Sequence, residues 1–151
     1  MPSRRDRIAR VAAPARVFVD SGAWIALRSQ RDQHHAEADR LFREAIAGRV
    51  TLVTTNLVIA EVHRLTLFRA GLAPALRALE RMDASERLTI HFATAADHAA
   101  ARRWLARLAP RPVTYTDAVS FAVMETNRCT DVLGFDQDFT AAGFGLWRGT
   151  R

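Results

Sequence analysis

Arg16-Val17-Phe18-Val19-Asp20-Ser21-Gly22 decides the fold: three consecutive apolar residues run into an acid and then a small polar turn. A strand that is apolar at successive positions, rather than alternating, suits the interior of a parallel sheet, where both faces are covered. Residues 50–54, 87–92 and 131–135 read as further strands, and 144–147 as an edge strand. Between them lie stretches of helical period at 23–28, 35–47, 57–69, 72–82, 94–109 and 117–127, with a helical turn at 138–142. In 35–47 the apolar residues Ala38, Leu41, Phe42, Ala45 and Ile46 fall on one helical face, and Gly48 ends it. Asp20 or Ser21 is placed to cap the first helix and Asn56 the third, and Pro74 suits the first turn of the fourth. Strands alternating with helices imply parallel βαβ units with right-handed crossovers and helices on both faces of the sheet. The chain reads as α/β.

The 151 residues are enough for one domain, placed at 16–151, behind an Arg-rich, acid-poor leader at 1–15 that is expected to be flexible. The leader has no apolar core, which excludes a secretory signal. No run approaches the ~20 apolar residues of a membrane span, so the expectation is a cytoplasmic protein that does not enter membranes. The formal charge is +6, and all 22 basic residues are arginine. GC-rich coding accounts for much of that count, yet the charge itself attracts polyanions, and guanidinium groups suit bidentate phosphate contacts. A single cysteine, Cys129, allows no internal disulfide and reads as an inert, buried thiol.

Four acids, Asp20, Glu61, Asp117 and Asp136, fall where a strand ends or the following helix begins. In an open α/β sheet these points share one edge, where ligands bind. Each has an ordinary explanation. Asp20 could be a helix N-cap, and Asp117 sits in a first turn that favours an acid behind a Thr114 cap. Asp136 or its neighbour Asp138 could cap the turn before Phe139, Asp136 being the preferred site residue and Asp138 a capping or outer acid. Glu61 shares a stripe with Leu57, Leu65 and Phe68, which is read as core-facing and so costly for an unpaired carboxylate. Four such coincidences at one edge point instead to a hard divalent cation, Mg²⁺ or Mn²⁺, held by carboxylate oxygens. No His/Cys cluster has the spacing zinc requires, and His63, His91 and His98 have no evident role.

With these residues in place, the chain resembles the PIN-domain ribonucleases, and among them the VapC-like toxins of type II toxin–antitoxin pairs. Val17-Phe18-Val19-Asp20-Ser21-Gly22-Ala23-Trp24 looks like the family's first motif, and Thr54-Thr55-Asn56-Leu57-Val58-Ile59-Ala60-Glu61 its second. Tyr115-Thr116-Asp117-Ala118 and Gly134-Phe135-Asp136-Gln137-Asp138-Phe139 match the third and fourth. The likeness covers about residues 16–147. Gly134 departs from it, standing where the family often has Ser or Thr.

The resemblance implies a PIN-like three-layer α/β/α sandwich with a mainly parallel sheet of four to five strands. It implies metal-dependent RNA hydrolysis to 5′-phosphate and 3′-hydroxyl ends. Asp20, Glu61 and Asp117 would hold the cation, and Asp136 would place a second ion or the attacking water. Ser21, Thr116 and Asn56 would orient neighbouring carboxylates. The helices at 57–69 and 72–82, with Arg64, Arg69, Arg77 and Arg81, would meet an antitoxin and a second copy of the chain as a homodimer. Two other readings stay open at this point: an inactive PIN-like module that binds RNA or protein, and a PIN nuclease of RNA processing without an antitoxin. A receiver-type domain, which also gathers aspartates, would want a lysine that the chain lacks.

Overall fold

A computed structural model describes residues 15–150; the leader expectation at 1–15 lies almost wholly outside them. The elements are β1 (Arg16–Val19), α1 (Ser21–Arg28), α2 (His35–Ala47), β2 (Thr51–Thr55), α3 (Asn56–Ala70), α4 (Leu72–Asp83), β3 (Leu88–His91), α5 (Ala95–Leu108), α6 (Tyr115–Thr126), β4 (Asp131–Leu133), α7 (Gln137–Ala141) and β5 (Gly145–Leu146). Every strand pairing is parallel, in the order β3-β2-β1-β4-β5.

That order follows from the sequence of β1. Val17, Phe18 and Val19 are all buried, as a central strand between two neighbours requires. The chain steps outward from β1 to β2 and β3, then returns to lay β4 on the other side of β1 and β5 beyond it. With right-handed crossovers, the two directions of travel put α1–α4 on one face and α5–α7 on the other, giving three layers. On the first face α1 packs on α2 and α3, and α3 on α4. On the second, α5 packs on α6 and α6 on α7. The core is one cluster threaded by β1 and by α6, whose Ala118–Met124 face is wholly buried. Phe121 meets Phe139 edge-on at 5.0 Å between ring centres, and Phe139 lies 6.2 Å from Phe18. Each ring contributes on the order of 2–3 kcal/mol by leaving water.

Several caps differ from expectation. Thr55, not Asn56, caps α3, its Oγ1 accepting the Val58 N–H at 3.1 Å. Asn56 is instead the first helical residue, and its Oδ1 accepts the Ala93 N–H at 2.9 Å, tying α3 to the segment after β3. The stripe carrying Glu61 is not core-facing: Val58 and Val62 are the buried residues of α3, while Phe68 is 76% exposed. Helix α6 begins at Tyr115, two residues before the expected start, which leaves Asp117 at its third position.

Candidate metal centre

The sheet order reverses between β1 and β4, and the crevice beyond their carboxyl ends is where the acids gather. Asp20 follows β1 directly, its backbone N–H donating to the Leu133 carbonyl at 3.1 Å, so the ends of β1 and β4 are fastened together there. Asp20 occupies the N-cap position of α1, yet its side chain caps nothing, and its buried Oδ1 has no hydrogen-bond partner. An ordinary helix cap does not account for it. Asp117 comes in from the opposite helical layer at the start of α6, where the Thr114 hydroxyl accepts its backbone N–H at 3.1 Å. Asp136 arrives on the loop after β4.

One oxygen each from Asp20, Asp117 and Asp136 lie within 4.8 Å of one another. Oxygens on opposite sides of a Mg²⁺ ion stand about 4.2 Å apart, given a metal–oxygen distance near 2.1 Å. The trio is therefore close to ligating separation. Asp20 is 4% and Asp117 6% exposed, and no cationic side chain makes an ion pair with either among the described residues. Desolvation, with Asp117 next in weight, pushes the Asp20 carboxyl up to about 8, against a smaller opposing pull from the Ser21 backbone N–H. Desolvation, with Asp136 next, pushes Asp117 up to about 7, and the Thr114 hydroxyl partly offsets this. A hard divalent cation offsets both costs at once, and an all-oxygen donor set with an orphaned Asp20 oxygen fits such an ion.

Glu61 stands apart from the tight trio but near enough that its charge raises both Asp20 and Asp117. It is half-buried on α3, which touches α6. Among the supporting residues the structure redistributes roles. Asp136 is itself the cap of α7, accepting the Asp138 N–H at 2.9 Å, so the cap is not Asp138. The Asp138 carboxylate instead accepts from Arg111 Nε at 2.6 Å, outside the trio. Ser21 is buried beside Asp20. Thr116 offers its carbonyl to the Ser120 hydroxyl, and the hydroxyl that serves Asp117 is that of Thr114. Asn56 is engaged with Ala93.

Gly134 lies against the centre. A Cβ there would come within 3.2 Å of the Asp20 Cβ and 3.4 Å of Val132 Cγ2, so the absent side chain leaves the room Asp20 occupies. Two of the histidines without an evident role in the sequence are engaged, His91 Nε2 with Asp97 at 2.8 Å and His98 Nδ1 with the Tyr115 hydroxyl at 2.9 Å, and His34 stacks on Phe135 at 4.1 Å. Tyr115 and Phe135, the partners of His98 and His34, precede Asp117 and Asp136 by two residues and one. Only contact across elements reveals them, and no local pattern carries that signal. Cys129 is buried and its thiol is pushed up to about 11, mainly by burial, as an inert thiol requires.

The model of the PIN domain matches residues 17–145. Relatives from two strains of Mycobacterium tuberculosis, CDC 1551 / Oshkosh and H37Rv, each named 23S rRNA-specific endonuclease VapC20, are 34% identical over 128 residues, spanning 85% of this chain and 95% of theirs. The crystal structure of Mycobacterium tuberculosis VapC20, described as a sarcin-ricin loop cleaving toxin, aligns with a TM-score of 0.78 at 32% identity. It covers 87% of this chain and 98% of its own.

Proposed function

The chain belongs to the PIN-domain family, and from that premise we propose that it is a divalent-metal-dependent endoribonuclease, the toxin of a toxin–antitoxin pair, whose substrate is a loop of large-subunit ribosomal RNA. The observation that carries this reading is the meeting of Asp20, Asp117 and Asp136 at the switch point of the sheet, two of them buried without a counter-charge.

Asp20, Asp117 and Asp136 would hold Mg²⁺ or Mn²⁺, with Glu61 closing the remaining side. A bound cation supplies an acidified water and neutralises charge on phosphorus. The chain's own part would be to place that cation between the end of β1 and the start of α6 and to accept the water's proton on a carboxylate. Hydrolysis that breaks the bond between phosphorus and the 3′-oxygen would leave a 5′-phosphate and a 3′-hydroxyl. An inhibitory partner is supported by the exposed apolar patch of Phe68, Leu72 and Leu76 on α3 and α4, which also suits a second copy of the chain. No helix among the described residues is long and apolar enough to cross a membrane, in keeping with action on cytoplasmic ribosomes.

The test is incubation of purified, partner-free protein with a sarcin-ricin loop hairpin under Mg²⁺, Mn²⁺ or EDTA, beside Asp20→Ala and Asp117→Asn. The expected result is cleavage with either metal, none in EDTA, 5′-phosphate ends, and no cleavage by the variants. Tight binding without cleavage under every metal would replace the nuclease with an inactive RNA-binding module.

A further inference from the structure

Away from the acids, the sides of α1, α3 and α4 enclose a cleft of about 490 Å³. Four arginines line it: Arg28 from α1, Arg69 from α3, and Arg77 and Arg81 from α4. No acidic residue does. None of the four is in an ion pair among the described residues. Arg28 is the most confined. Its Nε is buried without a partner, and its one hydrogen bond is a long contact of 3.5 Å to the Ala78 carbonyl. Its guanidinium is held below the ordinary arginine value, by burial first and by Arg81 second. Four like charges around one hollow, one of them partly desolvated, is an arrangement that an anion relieves.

The cleft also has a fixed relation to the acids. Arg28 lies eight residues after Asp20 on α1, and Arg69 eight after Glu61 on α3, so each stands roughly 12 Å along its helix from the acid, at about 1.5 Å per residue. Both helices start at the carboxyl ends of the adjacent parallel strands β1 and β2 and pack on each other, so the two arginines lie in the same helical layer beyond the acids. At roughly 3.4 Å of rise per nucleotide in a helical strand, that is three to four nucleotides. Ser29, Gln30 and Thr66 supply neutral hydrogen-bonding groups in the same wall. Arg64, by contrast, turns away from the cleft and lies over the Phe68 ring at 5.5 Å.

We propose that this arginine-lined cleft is a phosphate-binding tract that grips the RNA backbone a few nucleotides from the scissile bond. It rests on the nuclease reading for the identity of the polyanion. The helices α3 and α4 thus present two different surfaces, the exposed apolar patch and the cationic cleft, and the sequence pattern alone runs them together.

The test measures binding apart from cleavage. A fluorescein-labelled sarcin-ricin loop hairpin is titrated in EDTA over a range of salt concentrations with the parent protein, Arg69→Ala/Arg77→Ala, Arg69→Lys/Arg77→Lys and Arg64→Ala. Arg69 and Arg77 are exposed, so truncation leaves the fold intact. The double alanine variant should bind about tenfold more weakly or worse, and its log–log salt slope should shrink by about 1.4, for two lost phosphate contacts at ~0.7 each. The lysine pair should restore most of the slope, and Arg64→Ala should match the parent. Unchanged affinity and slope in the double alanine variant overturn the proposal, whether or not the protein cleaves RNA. So does a variant that binds RNA normally but no longer binds its inhibitory protein, which gives the cleft to that partner. Loss of slope in a chain that never cleaves RNA upholds the tract and sinks the nuclease reading instead.

Discussion

Asp20→Asn should invert its effect on stability between acid and alkaline pH, because the buried carboxyl is a burden only once ionised. In the folded chain Asp20 releases its proton near pH 8, against an ordinary value of 3.8. Between these values the folded state holds a proton that the unfolded state has lost. Stability from this group is therefore complete below about pH 4 and drains as pH rises toward 8. From pH 5 to 8, at about 1.4 kcal/mol per pH unit, the loss is on the order of 4 kcal/mol. At 2–4 °C per kcal/mol for a chain of this size, the metal-free protein should melt about 10 °C lower at pH 8.5 than at pH 5. Asn has the same shape but nothing to ionise. At pH 5 the variant forfeits some local fit and melts at or slightly below the parent. At pH 8.5 it melts several degrees above it. Millimolar Mg²⁺ or Mn²⁺ at pH 8.5 should raise the parent and leave the variant unmoved. Calorimetry in EDTA and in metal, across pH 5–9, makes the measurement. Asp117, pushed up to about 7, drains stability in the same window in both proteins, so the test is the difference between parent and variant. Asp97 and Glu37, whose carboxyls are held low, lose stability only as pH falls and stay out of it. A flat parent profile, or parallel profiles for parent and variant, would refute the reasoning.

Asp136→Ala should abolish cleavage and cost about 1 kcal/mol through the lost α7 cap, whereas Asp138→Ala breaks only the Arg111 pair and should cost under about 1 kcal/mol with cleavage retained; urea melts and cleavage rates separate the two. Gly134→Ser should press the new Cβ on Asp20, destabilising the protein by about 1–3 kcal/mol and weakening Mn²⁺ binding in calorimetric titration, where a site short of a hydroxyl would gain affinity. Native protein at pH 8 should resist iodoacetamide at Cys129, with rapid alkylation only in denaturant, as mass spectrometry would record.

The sequence carried the strands and the acids well, because both depend on short-range pattern. An unbroken Val-Phe-Val run marks a central strand, and an acid at the end of such a run can only point off the sheet edge. The reason for singling out Glu61 fails: its stripe on α3 is not core-facing, it stands apart from the trio, and its nearness to Asp20 and Asp117 comes from the packing of α3 on α1 and α6. The α3 cap fell one residue off, at Thr55 rather than Asn56, and the α7 cap was left open between Asp136 and Asp138, since adjacent Thr, Asn and Asp residues all satisfy the same local rule. The arginine cleft was the least legible. It joins residues 28, 69, 77 and 81, and only the crossover that lays α1 beside α3 and α4 turns four scattered charges into one surface.

The central position of β1 also governs when the activity can first exist during biosynthesis. β1 is made early, but its partner β4 pairs Val17 with Asp131, a separation of 131 − 17 = 114 residues. Parallel pairing over that distance is slow to close. Asp20 has no companion from α6 or the β4 loop until that closure occurs, so a growing chain on a ribosome carries a lone aspartate rather than a nuclease.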